Sequence, residues 1–276
     1  MTSQVVEDVP SVLFDRAKRH SVSFVLPAYN EEENITKAIE DTVAVAYRHC
    51  SEFNVIVVDD GSTDRTAERV DACSARHPQV RLVRHATNLG YGEALRSGFS
   101  EATQDFVFYT DADNQFDMDE FPLLLAWADK ADVVAGYRRV RHDSAMRRAN
   151  AWCWNRLVRA LFFVPVRDID CAFKLYRREP LAAIEIESRG AMIDTETIVK
   201  LARRGSAIME VGVTHLPRTA GTARGAKPMV ILRALGEVWR MYPQLSRLDP
   251  GRPPVFAEPT IEPNLRLDPR RQEATL

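Results

Sequence analysis

Cysteine is scarce in this sequence, and no two cysteines lie close together. The 276 residues include four cysteines, at positions 50, 73, 153 and 171, and none forms a C-x-x-C pair. This spacing argues against both a zinc site and a fold held by disulfide bonds. Separate, reduced thiols are instead typical of proteins in the cytosol.

Long hydrophobic runs are also missing. No stretch approaches the roughly 20 apolar residues of a membrane-spanning helix. The first twenty residues carry six charged side chains, unlike a secretory signal peptide. The net charge of −2 gives no general attraction to nucleic acid, so no nucleic-acid partner is expected. We expect a cytoplasmic protein that can reach the inner face of the membrane without spanning it.

The chain does have enough apolar material for a full core, since 45% of its residues are hydrophobic. Its end is different. From Asp249 onward, six prolines interrupt a charged, weakly apolar segment, a composition typical of extended or disordered chain. We therefore divide the sequence into an N-terminal extension (1–20), one folded domain (21–245) and a proline-rich tail (246–276).

Four short β-prone segments, at 21–26, 53–58, 80–83 and 106–110, alternate with helical segments. This alternation predicts βα units, and hence a single α/β domain with a mostly parallel sheet flanked by helices. Asn30 follows the first strand and is expected to cap the next helix. In open sheets of this kind, ligands bind beyond the carboxyl ends of the strands.

Polar residues follow each of these four strands. They are Tyr29, Asp59, Asp60, Asn88, Gly92, Asp111 and Asp113. Asp111 and Asp113 are one residue apart, so in an extended chain their carboxylates share a face and repel each other unless a cation lies between them. Mg²⁺ or Mn²⁺ suits such oxygen ligands and can also bind a diphosphate. An Asp-x-Asp pair alone also fits a polar turn, but the convergence of the clusters predicts one nucleotide-diphosphate site.

Four motifs in this order resemble family 2 glycosyltransferases of the GT-A fold: VLPAYNEEENI, VIVVDDGSTDRTAE, NLGYGEALRSGF and YTDADNQF. The resemblance extends from about residue 21 to about residue 242. Within the family, the chain is most similar to polyprenyl-phosphate sugar synthases of the dolichol-phosphate mannose synthase type. This similarity depends on residues 111–115 (DADNQ), 170–174 (DCAFK) and 218–222 (RTAGT). The family commonly has glycine in the second of these segments, where this chain has Ala172.

The resemblance implies roles for individual residues. The implied nucleotide-binding residues are Pro27, Tyr29, Glu31, Asp59, Asp60, Asn88, Gly92 and Asp111. The implied ligands of Mg²⁺ or Mn²⁺ are Asp111, Asp113 and Gln115. Three further residues, Arg138, Arg218 and Thr222, match positions near phosphates in this branch.

The resemblance also implies an inverting hexosyltransferase that uses a GDP- or UDP-hexose and a polyprenyl phosphate acceptor. A phosphate monoester is largely deprotonated at neutral pH, since its second pKa is about 6, so such an acceptor needs no general base. A hydroxyl acceptor would need one. Asp170, Asp194 and Glu196 are the available carboxylates, although Asp194 equally suits the N-cap of a helix.

Residues 145–164 are the strongest candidate for membrane contact. Arginines alternate there with aromatic side chains, including Trp152, Trp154, Phe162 and Phe163. A basic helix with an aromatic face can lie in a bilayer interface, but packing on the core is the commoner arrangement. The arginines favour the membrane interpretation. A similar apolar face recurs at helical spacing over residues 231–242.

Two other functions remain open. A glycosyltransferase could act away from membranes on the hydroxyl of a sugar, a glycan or a small molecule. A module that binds nucleotide sugars without catalysis is the third hypothesis, and the intact Asp111 and Asp113 pair argues against it.

Overall fold

The computed structural model describes residues 20–139, 145–164, 166–218, 228–247 and 256–257. Within them the strands are β1 (Ser21–Ala28), β2 (Glu52–Asp59), β3 (Val80–Arg84), β4 (Phe106–Thr110), β5 (Val133–Arg138), β6 (Phe173–Arg177), β7 (Ile208–Val213) and β8 (Phe256–Ala257). The helices are α1 (Ile35–His49), α2 (Thr66–Ser74), α3 (Tyr91–Ser100), α4 (Phe121–Leu125), α5 (Ala145–Phe162), α6 (Arg178–Ala182), α7 (Ile193–Arg203) and α8 (Pro228–Arg247). A 3₁₀ turn, Met118–Glu120, precedes α4.

The strands form one sheet in the order β3-β2-β1-β4-β6-β5-β7-β8. Neighbouring strands are parallel except at β6, which runs antiparallel to both β4 and β5. Because β6 is antiparallel to both, β4 and β5 run in the same direction. The carboxyl ends of β1, β2, β4 and β5 therefore lie on one edge of the sheet. The predicted α/β class with a mostly parallel sheet is confirmed.

The four predicted strands are present, and three of them extend one or two residues beyond the expected bounds. The sequence pattern does not predict β5, β6 or β7. Gly136 interrupts β5, and Lys174 lies fully buried inside β6. A glycine and a charged residue both weaken the β signal of so short a segment.

A short part of the proline-rich tail is ordered against the sheet. Phe256–Ala257 pairs in parallel with Ile208 and Met209 at the start of β7. A strand is extended backbone, so these two residues do not contradict the expectation of an extended or disordered tail, and the division of the chain into domains stays a prediction. Residues 1–19 and 258–276 lie outside the described residues.

Helices cover both faces of the sheet, because alternate residues of each central strand point in opposite directions. In β1, Phe24 and Leu26 belong to the apolar cluster under α1. Val25 belongs to the opposite cluster, which also contains buried side chains of α3, α5, α7 and α8. Such two-sided burial is what nearly continuous apolar strands favour. Within the described ranges, no helix is both long and apolar enough to cross a membrane.

Helix α3 packs especially closely on β1 and β2. A Cβ atom added at Gly98 would overlap the Cγ1 atom of Val25 and lie 3.3 Å from Cγ2 of Val58. Both valines are fully buried, and β-branched side chains have little freedom to move aside. The absence of a side chain at Gly98 therefore sets the distance between α3 and the sheet.

We predict that Gly98→Ala destabilises the protein by roughly 1–3 kcal/mol, the usual cost of overpacking a core. Urea denaturation would measure the change. Gly236→Ala is the matched control, since among the described residues no atom outside this glycine's own stretch of helix lies within 4 Å of an added Cβ. There alanine should stabilise the protein by up to about 1 kcal/mol through helix propensity. Equal or greater stability of Gly98→Ala relative to the parent would contradict the close contact.

Candidate active site

The loops that follow β1 and β2 are tied to each other. The backbone N–H groups of Asn30 and Glu31 donate to the hydroxyls of Ser62 (2.8 Å) and Thr66 (2.9 Å). In return, the Thr63 N–H donates to Oδ1 of Asn30 at 2.8 Å. The prediction that Asn30 caps α1 is wrong, since Asn34 occupies the N-cap position and Asn30 has a left-handed backbone (φ 54°). Asn30 instead fixes the loop after β1 against the loop after β2.

Two of the predicted nucleotide-binding residues lie within or beside these loops. Pro27 is inside β1, in register with Val58 of β2 and one residue before the end of its strand. Tyr29 follows directly and is partly buried. Both are thus at the carboxyl edge of the sheet, as the sequence predicts.

Asp59 and Asp60 are buried, and their carboxylates accept hydrogen bonds from the protein itself. Asp60 accepts from the backbone N–H groups of Leu89 and Gly90, both at 2.9 Å, and contacts Nδ1 of His85 at 2.8 Å. Oδ1 of Asp59 accepts from the N–H of Ser62 at 2.9 Å. The pair therefore holds the loop after β3 against the loop after β2. Contact with base or ribose remains a prediction for both residues.

The loop after β3 leads to Asn88, which is exposed, and to Gly92, which is buried. The Gly92 N–H donates to the carbonyl oxygen of Arg189 at 2.9 Å. A Cβ at Gly92 would lie 2.6 Å from the Arg189 carbonyl carbon and 2.7 Å from the Ser188 oxygen. The close backbone approach at this glycine is therefore made by the chain's own segment 188–190.

The two central carboxylates, Asp111 and Asp113, follow the end of β4. Burial and the nearby Asp113 carboxylate raise the pKa of Asp111 to about 7. The hydroxyl of Tyr91 donates to Oδ1 of Asp111 at 3.0 Å. Arg218 forms an ion pair with Asp113, and its Nη1 lies 3.7 Å from Oε1 of Glu31. The structure thus brings together residues from the loops after β1, β4 and β7.

The donor atoms at this point fit a divalent cation. Gln115 lies beside the pair: its backbone N–H donates to Asp113 at 3.2 Å, and its side-chain amide donates to the Leu216 carbonyl at 3.2 Å. In the described part of the chain, no group of three or more His, Cys, Asp or Glu side chains is arranged to hold a metal. One or two carboxylates are nevertheless the usual protein contribution to an Mg²⁺ site that shares the ion with substrate phosphates.

Arg138 lies at the end of β5, on the same edge of the sheet, and its guanidinium is engaged. Its Nε and Nη2 atoms donate to the two oxygens of Asp168 at 2.6 and 2.7 Å. Such a bidentate pair neutralises the arginine locally. The predicted contact of Arg138 with a phosphate is therefore in competition with Asp168. Thr222 lies outside the described residues.

Asp194 belongs to a buried network beneath the site. Nζ of Lys174 donates to Asp194 (2.7 Å), to the Tyr109 hydroxyl (2.9 Å) and to the Cys171 carbonyl (2.6 Å). The Tyr109 hydroxyl also donates to Asp194. The alternative interpretation of Asp194 as an N-cap is wrong, because Met192 holds that position in α7.

Glu196, another of the candidate bases, is bound by donors of the protein itself. Its carboxylate accepts from the N–H groups of Glu187 and Ser188, both at 2.8 Å, and from Nζ of Lys200 at 2.7 Å. It therefore holds the segment that packs on Gly92.

Sequence reasoning missed Tyr91, Asp168 and Lys174 as parts of this site. The sequence contains one signal that points to Lys174. Lys174 is a charged residue inside the apolar strand FKLYR, and a buried charge requires a partner. Nothing in the local sequence identifies that partner as Asp194, twenty residues further along the chain.

Known proteins resemble this chain in sequence and in fold. The family model described as "Glycosyl transferase family 2" matches residues 23–184. The undecaprenyl-phosphate 4-deoxy-4-formamido-L-arabinose transferase of Pectobacterium atrosepticum is 33% identical over 208 residues, which cover 74% of this chain and 62% of that protein. The protein of the same name from Shewanella sediminis is 32% identical over 209 residues, covering 74% and 61%. The chain thus spans about three fifths of the length of these relatives.

Solved structures show the same fold. Glucosyl-3-phosphoglycerate synthase from Mycobacterium tuberculosis, in complex with Mn²⁺, UDP and glucosyl-3-phosphoglycerate, superposes with a TM-score of 0.66 at 22% identity, covering 90% of this chain and 86% of that one. Its complex with Mn²⁺ and UDP-glucose gives a TM-score of 0.66 at 21% identity, covering 89% and 85%. This likeness confirms the GT-A fold. Because the family model matches more than half of the 276 residues, the chain belongs to glycosyl transferase family 2.

Proposed function

We propose that this chain transfers a hexose from a nucleotide-diphosphate sugar to a polyprenyl phosphate, with inversion and with Mg²⁺ or Mn²⁺. The observation that carries the proposal is the Asp111 and Asp113 pair, adjacent to Arg218, on the edge where the ligand-facing loops meet. The names of the relatives support an undecaprenyl phosphate acceptor. The neighbouring structures with UDP, UDP-glucose and Mn²⁺ support a UDP-sugar donor, with GDP as the alternative base.

In the donor half of the reaction, the charge that develops on the leaving group has to be stabilised. As the bond from the anomeric carbon to the diphosphate breaks, negative charge builds on the diphosphate. A divalent ion held by Asp111, Asp113 and Gln115 would stabilise that charge as a Lewis acid. Arg218 lies against Asp113 and is within reach of the same phosphates, to which it can donate two hydrogen bonds.

The acceptor half needs no general base if the acceptor is a phosphate. The carboxylates of Asp194 and Glu196 are both engaged by lysines and other protein donors. Asp170 differs, because burial and then the nearby Asp194 and Asp168 carboxylates raise its pKa to about 7. The indole N–H of Trp154 donates to it at 3.1 Å. Asp170 is therefore the candidate base for the second function, transfer to a hydroxyl.

That second function has one observation in its favour. The neighbouring structures are of a synthase crystallised with phosphoglyceric acid and with glucosyl-3-phosphoglycerate, which are small acceptors and products without a lipid. A panel of donors and acceptors followed by mass spectrometry of the product would separate the two functions. The panel should include UDP- and GDP-hexoses and a UDP-pentose, since the relatives are named for an arabinose derivative.

Peripheral membrane contact is part of the proposal. Helix α5 buries Val158 and Phe162 in the core, whereas Phe163, just after it, is 79% exposed. The Phe162 ring lies 5.9 Å from that of Tyr242 on α8. On α8, Trp239 is 82% exposed. Each helix thus packs one side on the core, and a large aromatic side chain on it or directly after it is in solvent, where a bilayer interface could receive it.

We predict that replacing both Phe163 and Trp239 by serine lowers binding to anionic liposomes by about tenfold or more, because burial of such side chains drives partitioning. Flotation of the purified protein would measure it. Tyr47→Ser is the control: Tyr47 is 58% exposed, and its helix α1 covers the opposite face of the sheet. Unchanged flotation of the double variant would show that these aromatics do not contact the membrane.

For the metal, we predict that Asp113→Asn lowers transfer at least about a hundredfold, since the stabilisation of the leaving group amounts to several kcal/mol. EDTA should do the same to the parent protein, and added Mn²⁺ should restore it. Asp129→Asn serves as control because Asp129 is 60% exposed and outside the site. Full turnover of the parent in EDTA would eliminate the metal role.

The raised pKa of Asp170 predicts that its effect on the stability of the protein depends on pH. A carboxyl whose pKa is raised on folding binds its proton more tightly in the native state, so its contribution to stability falls as the pH rises from about 4 to about 7. Asp170→Asn removes this loss and can still accept from Trp154. The variant should therefore melt a few degrees above the parent at about pH 8 and much closer to it at about pH 5. An offset that does not depend on pH would argue against the raised pKa.

A further inference from the structure

His85, the first residue after β3, lies between a carboxylate and a hydroxyl that belong to two other elements. Its Nδ1 atom is 2.8 Å from Oδ1 of Asp60, and its Nε2 atom is 2.9 Å from Oγ of Ser97 on α3. The side chain of His85 is 10% exposed and that of Asp60 is 4% exposed. We call these three residues the histidine bridge, because they connect the loop after β2 with α3.

The ring of His85 is held in one orientation. Its backbone N–H donates to the Asp59 carbonyl at 2.9 Å, which continues the pairing of β3 with β2. Because an ionised carboxylate only accepts hydrogen bonds, Nδ1 carries the hydrogen that points to Asp60. In the neutral ring, Nε2 then accepts from the Ser97 hydroxyl. The ring therefore cannot turn without breaking a contact at one of its two nitrogen atoms.

The carboxylate of Asp60 has most of its acceptor positions filled by the protein. Oδ1 accepts from His85 and from the Leu89 N–H, and Oδ2 accepts from the Gly90 N–H. An ionised carboxylate offers about four lone-pair positions, shared equally by its oxygens. The described residues place no further donor on this group, so one position remains, on Oδ2. Without His85, a position on Oδ1 would be open as well.

The number of open positions on Asp60 affects which base this carboxylate can recognise. Uracil presents one ring N–H between two carbonyl groups, and a single carboxylate oxygen is enough to accept it. Guanine presents its ring N–H and its amino group side by side, and a carboxylate binds that pair with both of its oxygens. A carboxylate with one open position therefore suits uracil better than guanine.

We propose that His85 is a positioning residue for donor recognition: it holds the Asp60 carboxylate with one open acceptor position and thereby favours a uridine over a guanosine nucleotide. The inference rests on the proposed function, with Asp60 in contact with the base of the donor. His85 acts through Asp60, since both of its ring nitrogens are engaged by the protein. Its effect is on binding of the donor and not on the transfer step.

The test measures the binding of UDP and of GDP by calorimetry in the presence of Mn²⁺ and without an acceptor. His85→Leu removes both ring contacts and should weaken UDP binding by about tenfold or more, as expected for loss of a hydrogen bond to a charged group. His85→Asn keeps an N–H group at the position of Nδ1 and should recover most of the affinity. The preference for UDP over GDP should be smaller in His85→Leu than in the parent, because Oδ1 is then open to guanine.

His77→Leu is the matched control. His77 also contacts a carboxylate, with Nε2 at 2.9 Å from Oε2 of Glu40, but it precedes β3 and so lies at the opposite edge of the sheet. This variant should bind UDP as the parent does. Should His85→Leu fail to fold, Ser97→Ala removes only the contact at Nε2 and should weaken UDP binding by a few-fold. Parental binding by Ser97→Ala would then overturn the inference.

Two further measurements separate positioning from a general effect on the fold. In turnover with a UDP-sugar, His85→Leu should raise the donor KM and leave kcat within about twofold, the pattern of lost uniform binding. In an Asp60→Asn background, His85→Leu should cost little further affinity, since residues that act through one contact are not additive. Full additivity of the two substitutions, or an affinity of His85→Asn as low as that of His85→Leu, would contradict the proposed role.

The inference and the proposed function can fail separately. If the parent binds UDP and transfers sugar, and His85→Leu keeps the parental affinity for UDP, His85 does not position Asp60 and the proposed function stands. Tighter binding of GDP than of UDP by the parent would likewise overturn the inference alone. If the parent binds UDP but transfers no sugar to a polyprenyl phosphate, the proposed acceptor is wrong, while the binding measurements still decide on His85. Binding of neither nucleotide would overturn both.

Discussion

The ion pair between Lys174 and Asp194 is the interaction on which the arrangement of the site depends. Lys174 is fully buried in β6, and its charge is matched by a carboxylate from α7. Desolvating two charges costs several kcal/mol for each, and removal of one partner from such a pair typically costs about 3–5 kcal/mol. The pair therefore fixes where α7 docks on the sheet. Through its bonds to the Tyr109 hydroxyl it also fixes the end of β4, two residues before Asp111.

A series of contacts also leads from α7 back to the Asp111 carboxylate. Glu196 of α7 holds the N–H groups of Glu187 and Ser188. The next residue along that segment, Arg189, accepts from Gly92, and Gly92 is adjacent to Tyr91, whose hydroxyl binds Asp111. Asp111 is thus positioned both by its own strand and by α3, through a path that passes along α7. The backbone of residues 188–190 lies so close to position 92 that only glycine fits there, whether or not a nucleotide is bound.

The sequence predicted one half of the sheet and the residues that gather at its carboxyl edge. Apolar runs that end in polar residues mark β1, β2, β3 and β4, because both signals are local. The sequence did not predict β6, because its pairing strands and the partner of its buried lysine lie far away along the chain. The expected cap at Asn30 was wrong for a related reason: the Thr63 N–H offered a partner that local sequence does not show. Likewise, sequence indicated that Asp60 is important, but not that buried N–H groups already occupy its carboxylate.

The proposed reaction would bring two anionic substrates to the same edge of the sheet, and their repulsion constrains how the charges there are distributed. A donor diphosphate and an acceptor phosphate roughly 10 Å apart repel by about 2 kcal/mol for each pair of unit charges, taking an effective dielectric constant of about 20. One shared cationic centre would let either anion occupy it and exclude the other. Here the arginines are divided between two strand ends: Arg218 lies beside Asp113 after β4, whereas Arg138 pairs with Asp168 at the end of β5. In-line displacement at the anomeric carbon, as proposed, would require both anions to be bound at once with the sugar between them, and separate strand ends provide room for that arrangement.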